Sequence, residues 1–208
     1  MNLNRILIAG CGDLGSGIAP YFVNRGDQVY GIRRSGIVYP NGVIGITGNI
    51  TELKETDLPD VELVFLIMTP SERTEVGYQS AYYDTASRLV ERYKASQTPI
   101  IFVSSTSVYG QNQGEWIDHQ TVPLAGKPTA QMLLATEQLL ADALPSIAVR
   151  CSGIYGPGRY RMLNKVMSDE CWGGNSWTNR VHRDDVVRAL CHLADKVLNN
   201  DTLAKQYN

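Results

Sequence analysis

Three glycines close to the amino terminus have a spacing that suits the binding of an anion by main-chain atoms. Gly10, Gly12 and Gly15 follow a short apolar run and precede a segment with apolar residues at helical spacing. The first glycine allows a tight turn, the second lets the backbone approach a pyrophosphate, and the third lets the helix lie close to the strand. The helix start favours the same anion through its free N–H groups and its dipole. The predicted dinucleotide loop comprises Gly10, Cys11, Gly12, Asp13, Leu14 and Gly15.

Two arginines at the end of the second predicted strand bear on the choice of dinucleotide. A site that prefers NAD usually has an acidic residue about 20 positions beyond the glycine loop, where it bonds a ribose hydroxyl. Arg33 and Arg34 stand there instead, and a guanidinium can form a bidentate pair with a 2′-phosphate. The alternative is that both are solvated charges. We expect NADP to be preferred over NAD, with Met68 and Thr69 lining the site from another strand end.

Composition and charge argue against several other classes of function. The chain has 208 residues, 43% of them hydrophobic, and a formal net charge of -2, so one domain with a sizeable core is expected over 1–208. The absence of a basic run argues against nucleic acid as a partner. No apolar stretch reaches membrane-helix length and no secretory pattern precedes the first strand, so we expect a cytoplasmic protein without a membrane partner.

The cysteines give no sign of a metal site or a disulfide framework. They form no C-x-x-C pair, and in a cytosolic protein we expect them to be free thiols. No metal site is predicted. The four cysteines are Cys11, Cys151, Cys171 and Cys191.

The pattern of hydrophobic residues predicts alternating strands and helices. Short apolar runs bounded by turn residues indicate strands, and segments with apolar residues three and four apart indicate helices. The alternation predicts a parallel sheet covered on both faces, and right-handed crossovers make it a doubly wound, three-layer α/β fold of the Rossmann type. Strands are expected at 6–9, 28–32, 43–46, 61–67, 99–103 and 146–150, and helices at 13–24, 80–95, 130–143 and 183–198.

Three later motifs, together with the glycine loop, resemble those of a known superfamily. Strand five ends in S-S-T-S-V-Y-G at 104–110, R-C-S-G-I-Y-G-P-G-R follows at 150–159, and N-R-V-H-R-D-D-V occupies 179–186. In this order they resemble the extended and atypical short-chain dehydrogenase/reductase superfamily, in particular its NAD-dependent epimerase/dehydratase group related to nucleotide-sugar epimerases. The shorter glycine loop is more typical of the atypical members.

The resemblance implies a catalytic set of a serine or threonine, a tyrosine and a lysine. Counting back from the V-Y-G motif places the hydroxyl residue at Ser105, where the alternative role is a hydrogen bond to local backbone. In the superfamily the tyrosine and lysine lie four residues apart, and the lysine lowers the pKa of the tyrosine. Aligned on Glu137, these two positions hold Thr129 and Leu133. We therefore expect the standard proton-transfer pair to be absent.

The resemblance also implies a set of substrate-side residues. It places Tyr155, Arg159 and His182 there, within segments at approximately 105–128 and 155–182. Arg159 would hold an anionic group of the substrate. Each residue has a structural alternative, which is packing for Tyr155, a surface salt bridge for Arg159 and ordering of the loop for His182.

Three further side chains are candidates to replace the missing proton carrier. Tyr109 lies in the strand-five motif, and His119 is a group that titrates near neutrality. Cys11 lies at a helix start, where a thiol pKa can fall. The alternatives are packing for Tyr109 and, for Cys11, a small side chain tolerated beside the pyrophosphate.

The functional hypothesis is an NAD(P)-binding protein of the epimerase/dehydratase-like group. Any reaction would be an oxidoreductase or epimerase step by hydride transfer at a carbinol or carbonyl carbon, on a small carbonyl compound or a nucleotide sugar. The alternative is a non-catalytic dinucleotide-binding sensor or regulatory protein. Relatives continue beyond the last helix, whereas this chain ends at Asn208, so little or no separate substrate lobe is expected. The superfamily also implies a homodimer.

Overall fold

A parallel sheet lies at the centre of the protein. The computed structural model describes residues 3–35, 38–168 and 178–208. The strands in these ranges are β1 (Arg5–Ala9), β2 (Gln28–Arg33), β3 (Val43–Thr47), β4 (Leu63–Leu66), β5 (Ile100–Ser105), β6 (Ser146–Cys151), β7 (Gly153–Tyr155), β8 (Arg180–His182) and β9 (Gln206–Tyr207). Seven of these described strands form one sheet in the order β3-β2-β1-β4-β5-β6-β9, and β7 and β8 form a separate parallel pair. The doubly wound parallel fold is confirmed.

Helices cover the sheet, and one of them differs from the sequence-based expectation. Within the described ranges they are α1 (Asp13–Arg25), α2 (Glu75–Tyr78), α3 (Thr85–Tyr93), α4 (Pro128–Ala143), α5 (Arg161–Met167) and α6 (Arg183–Leu198). The helix expected at 80–95 begins at Glu75, and a π-helical turn at Gln79–Asp84 separates α2 from α3. Thr85 donates its hydroxyl hydrogen to the carbonyl of Ser80, five residues earlier, at 3.3 Å. No helix among the described residues is long and apolar enough to cross a membrane.

Successive side chains of the central strands enter two separate cores. Ile8 of β1 belongs to one core with Phe22 of α1 and Leu190 of α6. Leu7, one position earlier, belongs to the other core, which includes Leu89 of α3. Neighbouring residues of a strand point to opposite faces, so a sheet covered on both sides needs apolar residues at consecutive positions. This explains why the strands appear in the sequence as short, continuous apolar runs.

The order of the strands creates a crevice next to β1. The chain passes from β1 through α1 to β2 on one side, and later returns to place β4 on the other side of β1. In doubly wound sheets, ligands bind beyond the carboxyl ends of the strands at such a switch point. The predicted glycine loop follows β1 directly, and Met68 and Thr69 follow β4. Both predicted segments therefore border the same crevice.

A buried ion pair joins α4 to the neighbouring strands. Arg150 of β6 donates through Nη2 to Oε2 of Glu137 in α4 at 2.7 Å, and the side chains are only 3% and 10% exposed. Ser104 of β5 donates to the same carboxylate at 2.6 Å. Arg150 also donates to the hydroxyl of Tyr109 at 2.7 Å. We name Ser104, Tyr109, Glu137 and Arg150 the buried polar network.

Replacement of Glu137 tests the structural weight of this network. Glu137→Leu leaves the Arg150 guanidinium buried without its carboxylate, and we expect a loss of about 3–5 kcal/mol in the free energy of unfolding. The double variant Glu137→Leu/Arg150→Met removes both charges and should recover part of that loss. Urea denaturation measures both. Glu91→Gln, which removes an exposed carboxylate paired with Arg88, is the control and should leave stability nearly unchanged. Equal losses of stability in Glu137→Leu and Glu91→Gln would contradict a structural role of the buried polar network.

Candidate functional site

A cavity of about 210 Å³ lies at the carboxyl ends of β1, β2 and β4. It brings together seven of the ten residues predicted to bind the dinucleotide. The exceptions are Asp13, Leu14 and Gly15, which follow in α1. The lining residues are Gly10, Cys11, Gly12, Ile32, Arg33, Arg34, Ser35, Gly48, Asn49, Ile50, Ile67, Met68 and Thr69.

The three glycines have different surroundings. Gly10 has φ +96°, and a Cβ atom there would lie 1.8 Å from the carbonyl oxygen of Ile67. A Cβ atom on Gly15 would lie 2.7 Å from Cγ2 of Ile8, because α1 packs directly on β1 at that point. At Gly12, by contrast, a Cβ atom would meet nothing within 4 Å. Gly10 and Gly15 are therefore required by the packing of the protein itself, whereas Gly12 borders open space in the cavity.

The amino terminus of α1 faces this open space with its main-chain donors. Gly12 is the N-cap residue, and no side chain caps the helix by a hydrogen bond. The first N–H groups of a helix have no partner within the helix, and together with the helix dipole they attract anions. The start of α1 thus offers main-chain donors to an anion beside Gly12, whereas the loop N–H groups of residues 10–12 donate to the carbonyls of Ile32 and Gly10.

The two arginines at the end of β2 line the opposite part of the cavity. Arg33 and Arg34 both contribute to its wall, next to Ser35. Arg33 donates through Nη1 to the carbonyl of Val38 at 3.3 Å, and Arg34 is exposed. The hydroxyl of Tyr82, from the π-helical turn, donates to the carbonyl of Met68 at 3.4 Å. The positive charges of Arg33 and Arg34 therefore lie in the wall of the cavity, where they can attract an anion.

Cys11 has its side chain in the core. It has 0% exposure, and a Cβ atom on Gly31 would lie 2.9 Å from its sulfur. Burial raises the pKa of the Cys11 thiol, although Arg33 and a hydrogen bond with Ser16 act in the opposite direction. A reactive thiolate at this position was one of the sequence-based candidates, and the structure contradicts it. Leu14 is likewise buried in the core.

The free cysteines agree with the expectation as far as the structure describes them. Cys11, Cys151 and Cys191 are free thiols. Cys171 lies outside the described residues, as do residues 169–177 of the predicted substrate-side segment. Among the described residues, no group of three or more His, Cys, Asp or Glu side chains is placed to hold a metal ion.

Asp13, at the first position of α1, accepts hydrogen bonds from two arginines. Arg159 donates through Nε to Oδ2 at 2.6 Å, and Arg183 donates through Nε to Oδ1 at 2.5 Å. Partial burial disfavours the ionised carboxyl, but the hydrogen bonds from Arg183 and Arg159 outweigh it and lower the pKa of Asp13. Arg159, predicted to face the substrate, forms a salt bridge to the glycine loop in the structure. We name Asp13, Arg159 and Arg183 the Asp13 cluster.

Ser105 lies at the last position of β5 and caps the turn that follows. Its Oγ accepts a hydrogen bond from the N–H of Ser107 at 3.1 Å, at the start of the 3₁₀ turn Thr106–Val108. It pairs in register with Cys151 of β6. This is the backbone role that the sequence left open as the alternative, and it uses the oxygen as an acceptor. The hydroxyl hydrogen takes no part in that contact.

Tyr155 and His182 lie together on the substrate-side pair of strands. They face each other in the register of β7 and β8, and their rings are in edge-to-face contact with centroids 5.3 Å apart. Nδ1 of His182 accepts a hydrogen bond from the N–H of Asp184 at 3.3 Å and so caps α6. A bridge between Gly156 and Arg159 brings Arg159 to the same region. The structure therefore groups the three predicted substrate-side residues, and Arg159 contacts Asp13 of the predicted dinucleotide loop.

The other candidate proton carriers have structural roles or exposed positions. Tyr109 is 9% exposed, and its hydroxyl belongs to the buried polar network. Tyr109 is not one of the residues that line the cavity. His119 is exposed. On α4, Leu133 is 1% exposed and belongs to the core beneath the helix, while Thr129 is half-buried. No titratable side chain thus occupies the position where the superfamily has its lysine.

Sequence reasoning missed several residues of this region. Ser35, Gly48 and Asn49 line the cavity, and the rule that indicated Met68 could have found Gly48 and Asn49, because they follow the carboxyl end of β3. Arg183 is next to a predicted site residue, but the sequence contains no signal that pairs it with Asp13. Such a pairing depends on how distant segments fold together.

The fold and the cavity define the class of the protein. A doubly wound sheet with a glycine turn and an uncapped helix at its switch point is the architecture of dinucleotide-binding domains. The model of the NAD dependent epimerase/dehydratase family matches residues 6–208. The chain belongs to this family, and the sequence-based assignment to the epimerase/dehydratase group is confirmed.

Individual relatives share both sequence and fold. Protein YeeZ of Escherichia coli K12 is 28% identical over an alignment that covers 92% of this chain and 73% of YeeZ. A solved structure from Methylobacillus flagellatus, described as an NAD-dependent epimerase/dehydratase, is 33% identical with a TM-score of 0.82 and covers 99% of this chain and 75% of its own. UDP-glucuronic acid 4-epimerase from Bacillus cereus, in complex with UDP-glucuronic acid and NAD, is 19% identical with a TM-score of 0.80, at 98% and 75% coverage. That last similarity is one of fold.

Two glycine variants separate folding from binding. Gly10→Ala places a Cβ atom against the Ile67 carbonyl and forces alanine into a left-handed conformation, so we expect clear destabilisation. In Gly12→Ala the new Cβ atom meets nothing within 4 Å, so this variant should lose clearly less stability than Gly10→Ala. Its methyl group enters the cavity and should weaken dinucleotide binding. Thermal denaturation and fluorescence titration measure the two effects; tight binding by Gly12→Ala would contradict the assignment.

Proposed function

We propose that this protein binds a nicotinamide dinucleotide at the glycine-loop cavity, with NADP preferred over NAD. The observation that carries the proposal is the combination of Gly12 beside open space with the uncapped start of α1. An anion needs both features, because its oxygens must approach the backbone and meet unpaired N–H groups. Family membership supports the same conclusion.

The lining residues fit the parts of such a dinucleotide. Main-chain donors beside Gly12 would hold the pyrophosphate, and Met68 and Thr69 would border it from β4. Arg33 and Arg34 would pair with a 2′-phosphate, and no carboxylate lies among the described residues that line this cavity. Guanidinium groups bind phosphate through charge-assisted, often bidentate hydrogen bonds. This charge distribution favours NADP over NAD.

The reaction that we propose is an oxidoreductase or epimerase step at a carbinol or carbonyl carbon. The dinucleotide would supply the hydride acceptor or donor. Ser105 would donate a hydrogen bond through its hydroxyl to the substrate oxygen, since its contact with Ser107 uses the hydroxyl only as an acceptor. Tyr155 and His182 would contact the substrate from β7 and β8. A nucleotide sugar is a candidate substrate because the Bacillus cereus epimerase of the same fold binds one.

A non-catalytic role as a dinucleotide-binding sensor is the second candidate. It is favoured by Leu133, which is buried in the core at the position of the superfamily lysine, and by Thr129 at the tyrosine position. A phenol with a pKa near 10 needs a nearby cation to act as a base at neutral pH, and this helix supplies neither group. The homodimer and the cytoplasmic location stay predictions.

Substitution of the two arginines tests the dinucleotide preference. In Arg33→Ser/Arg34→Ser, NADPH loses its 2′-phosphate partners, so the ratio of NADPH to NADH affinity should fall roughly tenfold or more. NADH affinity should change little. Arg188→Ser removes an exposed guanidinium that pairs with Asp185 on α6 and serves as the control. An unchanged ratio in the double variant would defeat the assignment of the phosphate site.

Turnover distinguishes the enzyme from the sensor. We expect NADPH-dependent reduction of a compound in a panel of nucleotide sugars and small carbonyl compounds. The rate should fall at least tenfold in Ser105→Ala, because a side chain that contacts the reacting oxygen contributes at least this much to the rate. Ser107→Ala changes an exposed neighbouring hydroxyl and should retain the rate. Dinucleotide binding without turnover across the panel would favour the sensor.

A further inference from the structure

The Asp13 cluster places a negative charge where an anion is expected to bind. Asp13 is the first residue of α1 and directly follows Gly12. Its carboxylate is therefore carried by the helix end whose N–H groups are assigned to the pyrophosphate, although its oxygens accept from arginines outside the cavity lining. A carboxylate at this helix end repels an anion bound to the same helix end, which weakens binding of that anion. The carboxylate is held there by Arg159 and Arg183, which come from the substrate-side half of the chain.

The two arginines differ in how firmly they are fixed. Arg183 donates to the Asp13 carboxylate, to the main-chain carbonyl of Asp13 at 2.9 Å and to Asp184 at 2.8 Å. It also packs against α1, where a Cβ atom on Gly17 would lie 2.9 Å from its Nη2. Removing one of these contacts would leave Arg183 anchored by the others.

Arg159 has fewer side-chain contacts than Arg183. Among the described residues, Asp13 is the carboxylate to which it donates, and its side chain is 35% exposed. Its main-chain N–H donates to the carbonyl of Gly156 at 3.0 Å, so a change of partner involves its side chain and not its backbone. Of the two arginines, Arg159 is the one that can change partner without breaking other interactions.

We propose that Arg159 has two alternative anionic partners, the carboxylate of Asp13 and the pyrophosphate of the dinucleotide, and that Asp13 thereby lowers dinucleotide affinity. Guanidinium geometry suits carboxylate and phosphate equally. Exchange of partners moves Arg159 by a side-chain rotation, and Arg183 continues to neutralise Asp13. This inference rests on the proposed function, and it assigns Arg159 to the dinucleotide where the sequence alone suggested the substrate.

The proposal predicts that removal of the Asp13 charge tightens binding. In Asp13→Asn, Arg159 is released and the repulsion disappears, so NADPH affinity should rise about three- to tenfold at low salt, with a smaller gain at 0.5 M salt. ADP-ribose, which contains the pyrophosphate, should show the same gain, and adenosine, which lacks it, should show none. Isothermal titration calorimetry measures all three ligands.

A matched control and a stability measurement exclude a general charge effect. Asp185→Asn removes the same charge in the first turn of α6, where Asp185 pairs with exposed Arg188, and should leave NADPH affinity unchanged. A purely structural Asp13 would lower both the melting temperature and the affinity when replaced. An unchanged or weakened affinity in Asp13→Asn, or an equal gain in Asp185→Asn, overturns the inference.

The exchange of partners is tested in a double-mutant cycle. Arg159→Gln should weaken NADPH binding in the wild-type background and again in Asp13→Asn, because the guanidinium contacts the pyrophosphate directly. Loss of effect in Asp13→Asn would show that Arg159 acts only by neutralising Asp13, and would overturn the exchange. Failure of the wild-type protein to bind either NADPH or NADH would refute the proposed function itself, which distinguishes that outcome from failure of this inference.

Discussion

The close approach of two main-chain segments between Gly10 and Ile67 determines how the rest of the site is built. The Gly10 backbone lies so near the end of β4 that a side chain would collide with the Ile67 carbonyl. The chain can therefore turn sharply from β1 into α1 at the point where the sheet order reverses. With α1 fixed there by Gly15, its amino terminus opens onto the ends of β1, β2 and β4. The position of the cavity and the direction of the first N–H groups of α1 both follow from the contact between Gly10 and Ile67.

Two ion-pair clusters with opposite surroundings support this arrangement. The pair of Glu137 and Arg150 is almost fully buried, so its partners cannot separate without leaving a charge in the core. It fixes α4 against β5 and β6. The Asp13 cluster lies at the amino terminus of α1, with its side chains between 20% and 38% exposed. Exposed pairs have small net stability because water replaces the lost partner, and such a cluster can exchange ligands.

The position of α4 shows that structural and catalytic requirements on a motif are separable. Glu137 aligns with a residue of the superfamily helix, and here it serves the buried polar network. On the same helix, Leu133 packs in the core where a lysine would support a tyrosine base. The helix covers the strands beneath it and supplies the carboxylate that pairs with Arg150. Its presence alone therefore says little about catalysis, since function depends on the particular side chains that a fold carries.

The amino-acid pattern alone was enough to predict the fold class and the glycine loop, because each depends on residues close together in the chain. Continuous apolar runs define buried parallel strands, and glycine spacing defines the turn. Tertiary structure decided the partners of the polar side chains. Arg159 and Arg183 reach Asp13 across 146 and 170 residues. The capping role of Ser105 and the π-helical turn depend on local backbone geometry, which the residue types at these positions allow but do not dictate. Hydrogen bonds between distant segments exist only once the sheet order has brought those segments together, so no local pattern could have specified them.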